Sequence, residues 1–482
     1  MAFLGVDLGT SAIKVAVVNE RGERIFEASS AEGELSLLSP QPGWAEQHPD
    51  DWWNIFCRLS KSIPDEIRAQ IEGIGIGYQM HGLVLLGGEG KVVRPSILWC
   101  DGRAVESGRE LGELFGEEKC FRLRSDPGNF TLSKLWWVKK HEPEAFARAV
   151  VALLPGDFLT FRLTGRACTS PSGFSEMVSW DFDADAPADW AWDQMKASHL
   201  MPECVAAFEP VGSLTSDAAR SCGLPKNCQV AYRSGDQPNN AWSLGCNEPG
   251  TVATIAGTSG VTYAVSDQIP NQMAVGSNPF LHVTHKSGAP RVGTLTCING
   301  AGSFVRWVKE TFCFSGYEEM TLLASGVPPG AEGVVMLPYI NGPERTLGNR
   351  SISGVISGIE FGRASRAAVA RAAFEAVVFA MRNGLVLTGA ASSKFRAGQG
   401  SLFQSSTFRE IFASCMGTPL EIVGSSGADG AARGALVSLQ GGMPPEINVE
   451  ARIVPNPDSF FVYDGVFERF QSLLQSVLNP EP

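Results

Sequence analysis

The chain has 482 residues, 44% of them hydrophobic and 19% charged, with a formal net charge of −12. At ~100–200 residues per domain, that length predicts about two to four domains with packed cores and argues against disorder. The acidic balance excludes a general nucleic-acid or anionic-membrane binder, which needs a basic face, but leaves room for one local anion site.

The eleven cysteines stand singly, without a CxxC pair, so reduced thiols and a cytoplasmic location are expected rather than a disulfide framework or zinc ribbon. Met1 to Thr10 has no basic flank and Asp7 interrupts its apolar run, which does not fit a signal peptide. No stretch approaches ~18 apolar residues, and no membrane span is expected.

In chain order, residues 2–8 and 12–18 are short apolar runs around Gly9-Thr10-Ser11, and a second turn at 19–22 leads into a third run, so a β-meander is predicted. Residues 71–79 (IEGIGIGYQ) read as a buried strand entering Met80-His81-Gly82. Helical spacing is predicted through 133–150, on Leu135, Trp136, Val138 and Phe146. Residues 229–245 read as a strand, a polar turn and a helix start. Residues 251–265 repeat the opening pattern, with Gly257-Thr258-Ser259 between two apolar runs. Beyond residue 364, two helical patterns, a strand at 420–423 and an Ala/Gly-rich helix at 427–440 complete an α/β alternation. The repeat places a boundary near residue 245, giving domains 1–245 and 246–482.

Five features carry chemistry. Asp7-x-Gly9-Thr10 is either an ordinary polar hairpin or a turn whose backbone N–H groups approach a phosphate, with Asp7 holding a hydrated Mg²⁺ and Lys14 within reach. Gly257-Thr258-Ser259-Gly260 offers the same two readings, and one nucleotide can use both hairpins. Neither a Walker A loop nor an N-terminal GxGxxG is present. Asp236, in Gly235-Asp236-Gln237-Pro238, is a helix cap or the general base of phosphoryl transfer to an alcohol. His81 in Met80-His81-Gly82 is structural or a partner for a sugar hydroxyl. Trp44 in Gly43-Trp44-Ala45-Glu46-Gln47 is a sugar-stacking lip or, with Trp52 and Trp53, plain packing. His282-x-x-His285 lacks a third ligand at a known spacing, so no metal role is expected there.

These residues together resemble the FGGY family of carbohydrate kinases, and within it the xylulokinases. The likeness runs almost end to end, through DLGTSAIKVAVV, PGWAEQHPDDWW (42–53), GYQMHGLV (77–84), RPSILWCDGRA (94–104), 125–138, LLPGDFLTFRLTG (153–165), SGDQPNN and AGTSGV (256–261). It implies two RNase H-like domains of the actin-like ATPase fold flanking a central catalytic cleft. It also implies a phosphotransferase that moves phosphate from ATP, with Mg²⁺, to the 5-hydroxyl of D-xylulose. Other ketose or polyol acceptors, such as ribulose, and a non-catalytic actin-like nucleotide-binding protein are the alternatives.

Carried over by position, Asp236 corresponds to the base, and Asp7 to the residue positioning Mg²⁺ and the γ-phosphate, with Asp236 as a second metal neighbour. Gly9, Thr10 and Lys14 fall at the γ-phosphate, and Gly257 and Thr258 at the second phosphate loop. Gly302, Gly400 and Gln404 fall on the nucleotide side, and Met80, His81 and Gly82 at the ketose. Two departures stand out. Gly398-Gln399-Gly400-Ser401 replaces a Gly-Gly-Gly-Ala run, and Gln237-Pro238 follows the base. The expected partners are a small sugar and ATP, with a homodimer as a candidate assembly and no nucleic acid or membrane.

Overall fold

The structure, a computed structural model, describes residues 1–480 apart from positions 32, 274, 275, 361, 363, 443 and 444. The chain builds two sheets with the same plan. In the first, β1 (Ala2–Leu8), β2 (Ile13–Asn19) and β3 (Arg24–Ser29) form an antiparallel meander. Next to β1 lie the parallel strands β4 (Ile71–Tyr78) and, beyond a two-residue edge strand β5 (Gly212–Ser213) in chain order, β6 (Gln229–Gly235). The spatial order is β5-β6-β4-β1-β2-β3.

The second sheet contains β7 (Thr251–Ala256), β8 (Gly260–Ser266), β9 (Asn278–Leu281), β10 (Val292–Ile298), β11 (Lys394–Gly398), β12 (Leu420–Val423) and β13 (Val449–Ile453). Its order is β9-β10-β8-β7-β11-β12-β13. Here too a three-stranded antiparallel meander, β10-β8-β7, is followed by two parallel strands, β11 and β12, and an antiparallel edge strand. The two plans match in spatial order and strand direction, with β9 added, and differ in that the edge strand precedes its neighbour along the chain in the first sheet and follows it in the second. This is the duplicated RNase H-like arrangement that the paired hairpins predicted.

The helices that matter for the site are α1 (Pro49–Lys61), α2 (Thr131–His141), α3 (Pro155–Thr164), α4 (Asp236–Ser243), α5 (Ala301–Thr311), α6 (Arg366–Val386), α7 (Ser406–Met416), α8 (Gly427–Gln440) and α9 (Pro457–Leu478). One expectation needs correction. The predicted helical stretch 133–150 is two helices, α2 and Pro143–Arg148, and Ala149 already starts a strand, Ala149–Leu153. Pro143 lacks the N–H that would continue α2, and the β-branched Val150 and Val151 favour the extended run.

Two chain-equivalent helices, α4 after β6 and α8 after β12, pack on each other between the sheets. α8 begins at a capping box, in which Ser426 accepts from Asp429 N–H and Asp429 returns a bond to Ser426 N–H. Although it follows the second sheet in the chain, α8 lies on β1, β4 and β6 of the first. Glycines make that approach possible. Gly5 and Gly75 are register neighbours, and a Cβ on either would come 1.8 Å from a carbonyl oxygen, of Ala428 and Ala431 respectively. Gly73 and Gly77 share that face of β4, against Leu439 of α8 and Asn239 of α4. Ile74, Ile76 and Tyr78 point the other way into the core.

All eleven cysteines are unbridged, and no helix among the described residues is long and apolar enough to cross a membrane. Gly75→Val is expected to destabilise the protein by about 1–3 kcal/mol or more, because the clash is with backbone. The check is a thermal melt against Gly88→Ala, at a glycine where an added Cβ meets nothing.

Candidate active site

The first phosphate hairpin is tied down from several sides. Gly9 N–H donates to Ala12 O at 3.0 Å, closing the β1–β2 turn. The Thr10 hydroxyl donates to Gln79 Oε1 at 3.0 Å and accepts from Trp99 Nε1 at 3.0 Å. Its hydrogen is therefore committed within the protein. Gln47 Nε2 holds Thr10 O at 2.8 Å, and Gln47 Oε1 accepts from Trp52 and Gln79. The Gly-Trp-Ala-Glu-Gln motif thus supports this turn. Trp44 packs edge-on to Trp137 beneath the Arg103 guanidinium, 3.6 Å away, and Glu46 pairs with Arg94 and Arg103. Trp52 and Trp53 are buried, so packing describes the two better than a sugar lip.

Asp7 sits opposite Lys14 in the β1–β2 register. Burial raises its pKa and the Lys14 charge opposes that. A Cβ on Gly427, the first residue of α8, would lie 2.6 Å from Asp7 Oδ2, so the carboxylate rests on the N-terminus of a fourteen-residue helix, where negative charge is favoured. Asp236 is the first residue of α4, with Gly235 as the cap, so its side chain is not itself the cap. Burial, and then the Asp7 charge, push its carboxyl up to about 7. The two carboxylates therefore share one region. Asn239 Nδ2 and Ser243 Oγ, both on α4, donate to Gly427 O at 2.9 Å and Ser426 O at 2.7 Å, fixing the two helix starts together.

Met80 and His81 follow β4. Gly235 fits between Met80 and Glu176, since a Cβ there would come 2.6 Å from Met80 Cγ and 2.4 Å from Glu176 Oε2. His81 has φ 60°, and its N–H donates to Glu176 Oε1 at 3.3 Å. Its Nδ1 lies 2.9 Å from Glu176 O, an acceptor, so Nδ1 carries the proton and Nε2 is left as an acceptor. Burial, and then Lys134, pull the imidazole down to about 3, so the ring is neutral. Lys134, on α2, donates to His81 O and Asn129 O at 2.8 Å each, and burial pulls its ammonium down to about 7. Phe130 meets the His81 ring edge-on at 4.7 Å, and Phe280 of β9 lies 5.4 Å from it. Gly82 serves packing here, with Pro155 where its Cβ would be.

The second hairpin faces α5. Gly302 N–H donates to Gly257 O at 2.8 Å and to Thr258 O at 3.1 Å, an approach that a Cβ on Gly302 would block at 2.3 Å. Gly257, Thr258, Gly302 and Gln404 line a cavity of about 720 Å³ together with Arg306 and Tyr317. Gly400 lines an adjoining cavity of about 430 Å³, and Ala256 and Ser401 face both. Of the two replacements in the glycine run, Gln399 is turned aside onto Glu450, while Ser401 adopts φ 53° beside Gly257. His282 bonds Asn247 and His285 pairs with Asp185. No group of three metal-ligating side chains occurs among the described residues.

Sequence reasoning missed Glu176, Gln79, Phe280 and the roles of Trp99 and Phe130. The last two lie inside segments already singled out, at 94–104 and 125–138. Glu176, in a serine-rich stretch, carries no motif.

Two hairpins of matching strand plan, with the half-buried Asp7 at the first and Asp236 at the start of α4, accompany the actin-like ATPase fold of a phosphotransferase. The chain belongs to the FGGY family of carbohydrate kinases: the models of its N-terminal and C-terminal domains match residues 2–242 and 252–439. It is 29% identical to a xylulose kinase of Escherichia coli (strain K12) over 99% of both chains. It is 30% identical to a xylulose kinase of Klebsiella pneumoniae, covering 81% of this chain and 80% of that one. A crystal structure of a xyloylose kinase from Brucella ovis superimposes with a TM-score of 0.89 at 28% identity, over 99% of each chain.

The raised Asp236 pKa has a sign. The folded state holds that proton between the ordinary aspartate value of ~3.9 and about 7, so stability falls as pH rises through this window. Asp236→Asn is therefore expected to raise the melting temperature more at pH 8 than at pH 5, at ~2–4 °C per kcal/mol relieved. Equal shifts at both pH values, read by differential scanning calorimetry, would remove the buried charge from the account.

Proposed function

We propose that the protein phosphorylates D-xylulose at its 5-hydroxyl, using ATP, to give D-xylulose 5-phosphate and ADP. The observation that carries this reading is the half-buried Asp236 at the start of α4 beside Asp7, with a carboxyl poised near neutral pH. The named relatives support the choice of sugar.

In this reading Asp236 accepts the proton of the 5-hydroxyl as that oxygen forms its bond to the γ-phosphorus. The bond from phosphorus to the β–γ bridging oxygen breaks, and ADP leaves with the electron pair. A base poised near the working pH suits this transfer. Gly9, Thr10 and Lys14 face the γ-phosphate, and Gly257 and Thr258 the β-phosphate. Gly302, Gly400 and Gln404 serve the nucleoside side, across the two adjoining cavities. Met80, His81 and Gly82 form the sugar side, where the Nε2 of neutral His81 accepts from a sugar hydroxyl.

A Mg²⁺ ion suits these residues, because it needs only one or two carboxylates when substrate phosphates and water supply the rest. Asp7, with Asp236 beside it, would hold it, and it would neutralise charge on the transferring phosphate. The chain's part is positioning and water exclusion, which dominate phosphoryl transfer. The division at residue 245 places one hairpin in each half, so closing the halves would bring both onto one nucleotide. The unbridged thiols support a cytoplasmic location. Exposed Val454, Phe461 and Val462, around the start of α9, support self-association as a homodimer.

Asp236→Ala is expected to lower D-xylulose-dependent ADP release by about 10²–10⁴-fold with the fold retained. A coupled ADP assay across ketoses and polyols checks this, and near-normal turnover would take the base role from Asp236.

A further inference from the structure

Several arginines withdrawn from solvent in this protein are paired with carboxylates. Arg103 bonds Asp101 and Glu46, Arg94 bonds Glu46 and Glu142, and Arg371 bonds Glu375, Tyr463 and Ala324 O. Arg345 differs. It enters no ion pair or hydrogen bond among the described residues, and its buried Nε has no partner. An N–H withdrawn from water without a partner, as Arg345 Nε is, is costly, and such a group persists where a ligand completes it.

Its position is built rather than loose. The preceding Glu344 is fully buried, and both its carboxylate oxygens accept from Asn299 N–H, at 3.0 and 3.2 Å, just past β10. Glu344 N–H donates to Arg350 O at 3.0 Å, and Asn349 N–H donates to Glu344 O at 2.9 Å. The loop thus holds Arg345 out from the second sheet and across to the first half of the chain. There its guanidinium carbon lies 5.4 Å from the centre of the Phe130 ring, whose edge contacts His81. Burial pulls the Arg345 pKa down while Asp126 opposes the shift, and the Arg345 charge is one of those that keep His81 neutral.

We propose that Arg345 is a specificity-determining residue, which donates a hydrogen bond to the carbonyl oxygen of an acceptor sugar bound beside the rings of His81, Phe130 and Phe280. Guanidinium has only donors, and His81 Nε2 offers only an acceptor. The pair divides the acceptor's groups between them, with a hydroxyl for His81 and the carbonyl for Arg345. A polyol gives Arg345 no carbonyl. Because Arg345 and Phe280 come from the second half and His81 and Phe130 from the first, this contact also joins the halves around the sugar. The inference rests on the kinase reading above and deepens it.

The test compares wild type, Arg345→Lys and Arg345→Ala, with D-xylulose and with its reduced polyol xylitol as acceptors, in the coupled ADP assay. Arg345→Ala should raise the ketose KM about tenfold or more while the ATP KM stays within about twofold, as expected for loss of a charged hydrogen bond to one substrate. The ketose-over-polyol ratio should shrink, and free guanidinium ion at low millimolar concentration should restore part of it. An unchanged ratio, or sugar and ATP KM values rising together, would overturn the proposal. If Arg345→Ala does not fold, as judged by circular dichroism, Arg345→Lys carries the test with the same two outcomes. Failure of the wild type itself to turn over any ketose would overturn the kinase reading first, and a wild type active on polyols alone would overturn the carbonyl contact.

Discussion

The site depends on how closely α8 lies on the first sheet. Gly5 of β1 and Gly75 of β4 sit side by side, and the carbonyls of Ala428 and Ala431 occupy the space their side chains would need. That approach brings the first residue of α8 onto Asp7 and sets α8 beside α4, which starts with Asp236. Gly434 against Tyr232 and Gly430 against Ser243 extend the same contact along the helix. A side chain at any of these points would push the two helix starts apart, and with them the two carboxylates. Small residues therefore set the chemistry from a distance, through the spacing of backbones.

The buried charges follow from that geometry. Asp7 has Lys14 across the hairpin and a helix N-terminus below it, so its charge is compensated. Asp236 has burial and the Asp7 charge against ionisation. Glu176, deeper still, is held far above the ordinary carboxylate range by burial and accepts from His81 through Oε1 and its backbone oxygen. The net charge of −12 belongs mostly to the surface and says little about this interior, where burial and the neighbouring charges together set each carboxyl.

Much of the architecture was legible in the sequence because it is local. Both hairpins, the strand at 71–78, the strand–helix step at Asp236 and the Ala/Gly-rich α8 follow from periodicity and turn residues. What was not legible is what those elements meet. The glycines of IEGIGIGY mark a strand in any reading, but nothing in them names α8 as the partner more than 350 residues away. Trp44 looked free beside Gly43, because Arg103 and Trp137, which hold it, are distant in the chain. Glu176 belongs to a stretch without a pattern, and only the fold brings its carboxylate under Gly235. The 149–153 strand was hidden by helical spacing that ran on past Pro143.

The path of α8 also bears on how the molecule is made. The first sheet draws its strands from the opening half of the chain, yet the helix that covers the glycine face of β1 and β4 is reached only at residues 427–440. On the ribosome, that face must wait through the synthesis of nearly the whole second half before its cover emerges. Contacts of such long sequence separation form late and slowly. A nascent chain stopped at the boundary would present a bare, smooth strip of backbone, flanked by Phe3 and Val18, as a landing place for other chains. The feature that sets the spacing of Asp7 and Asp236 thus also makes the first half dependent on the second for its protection.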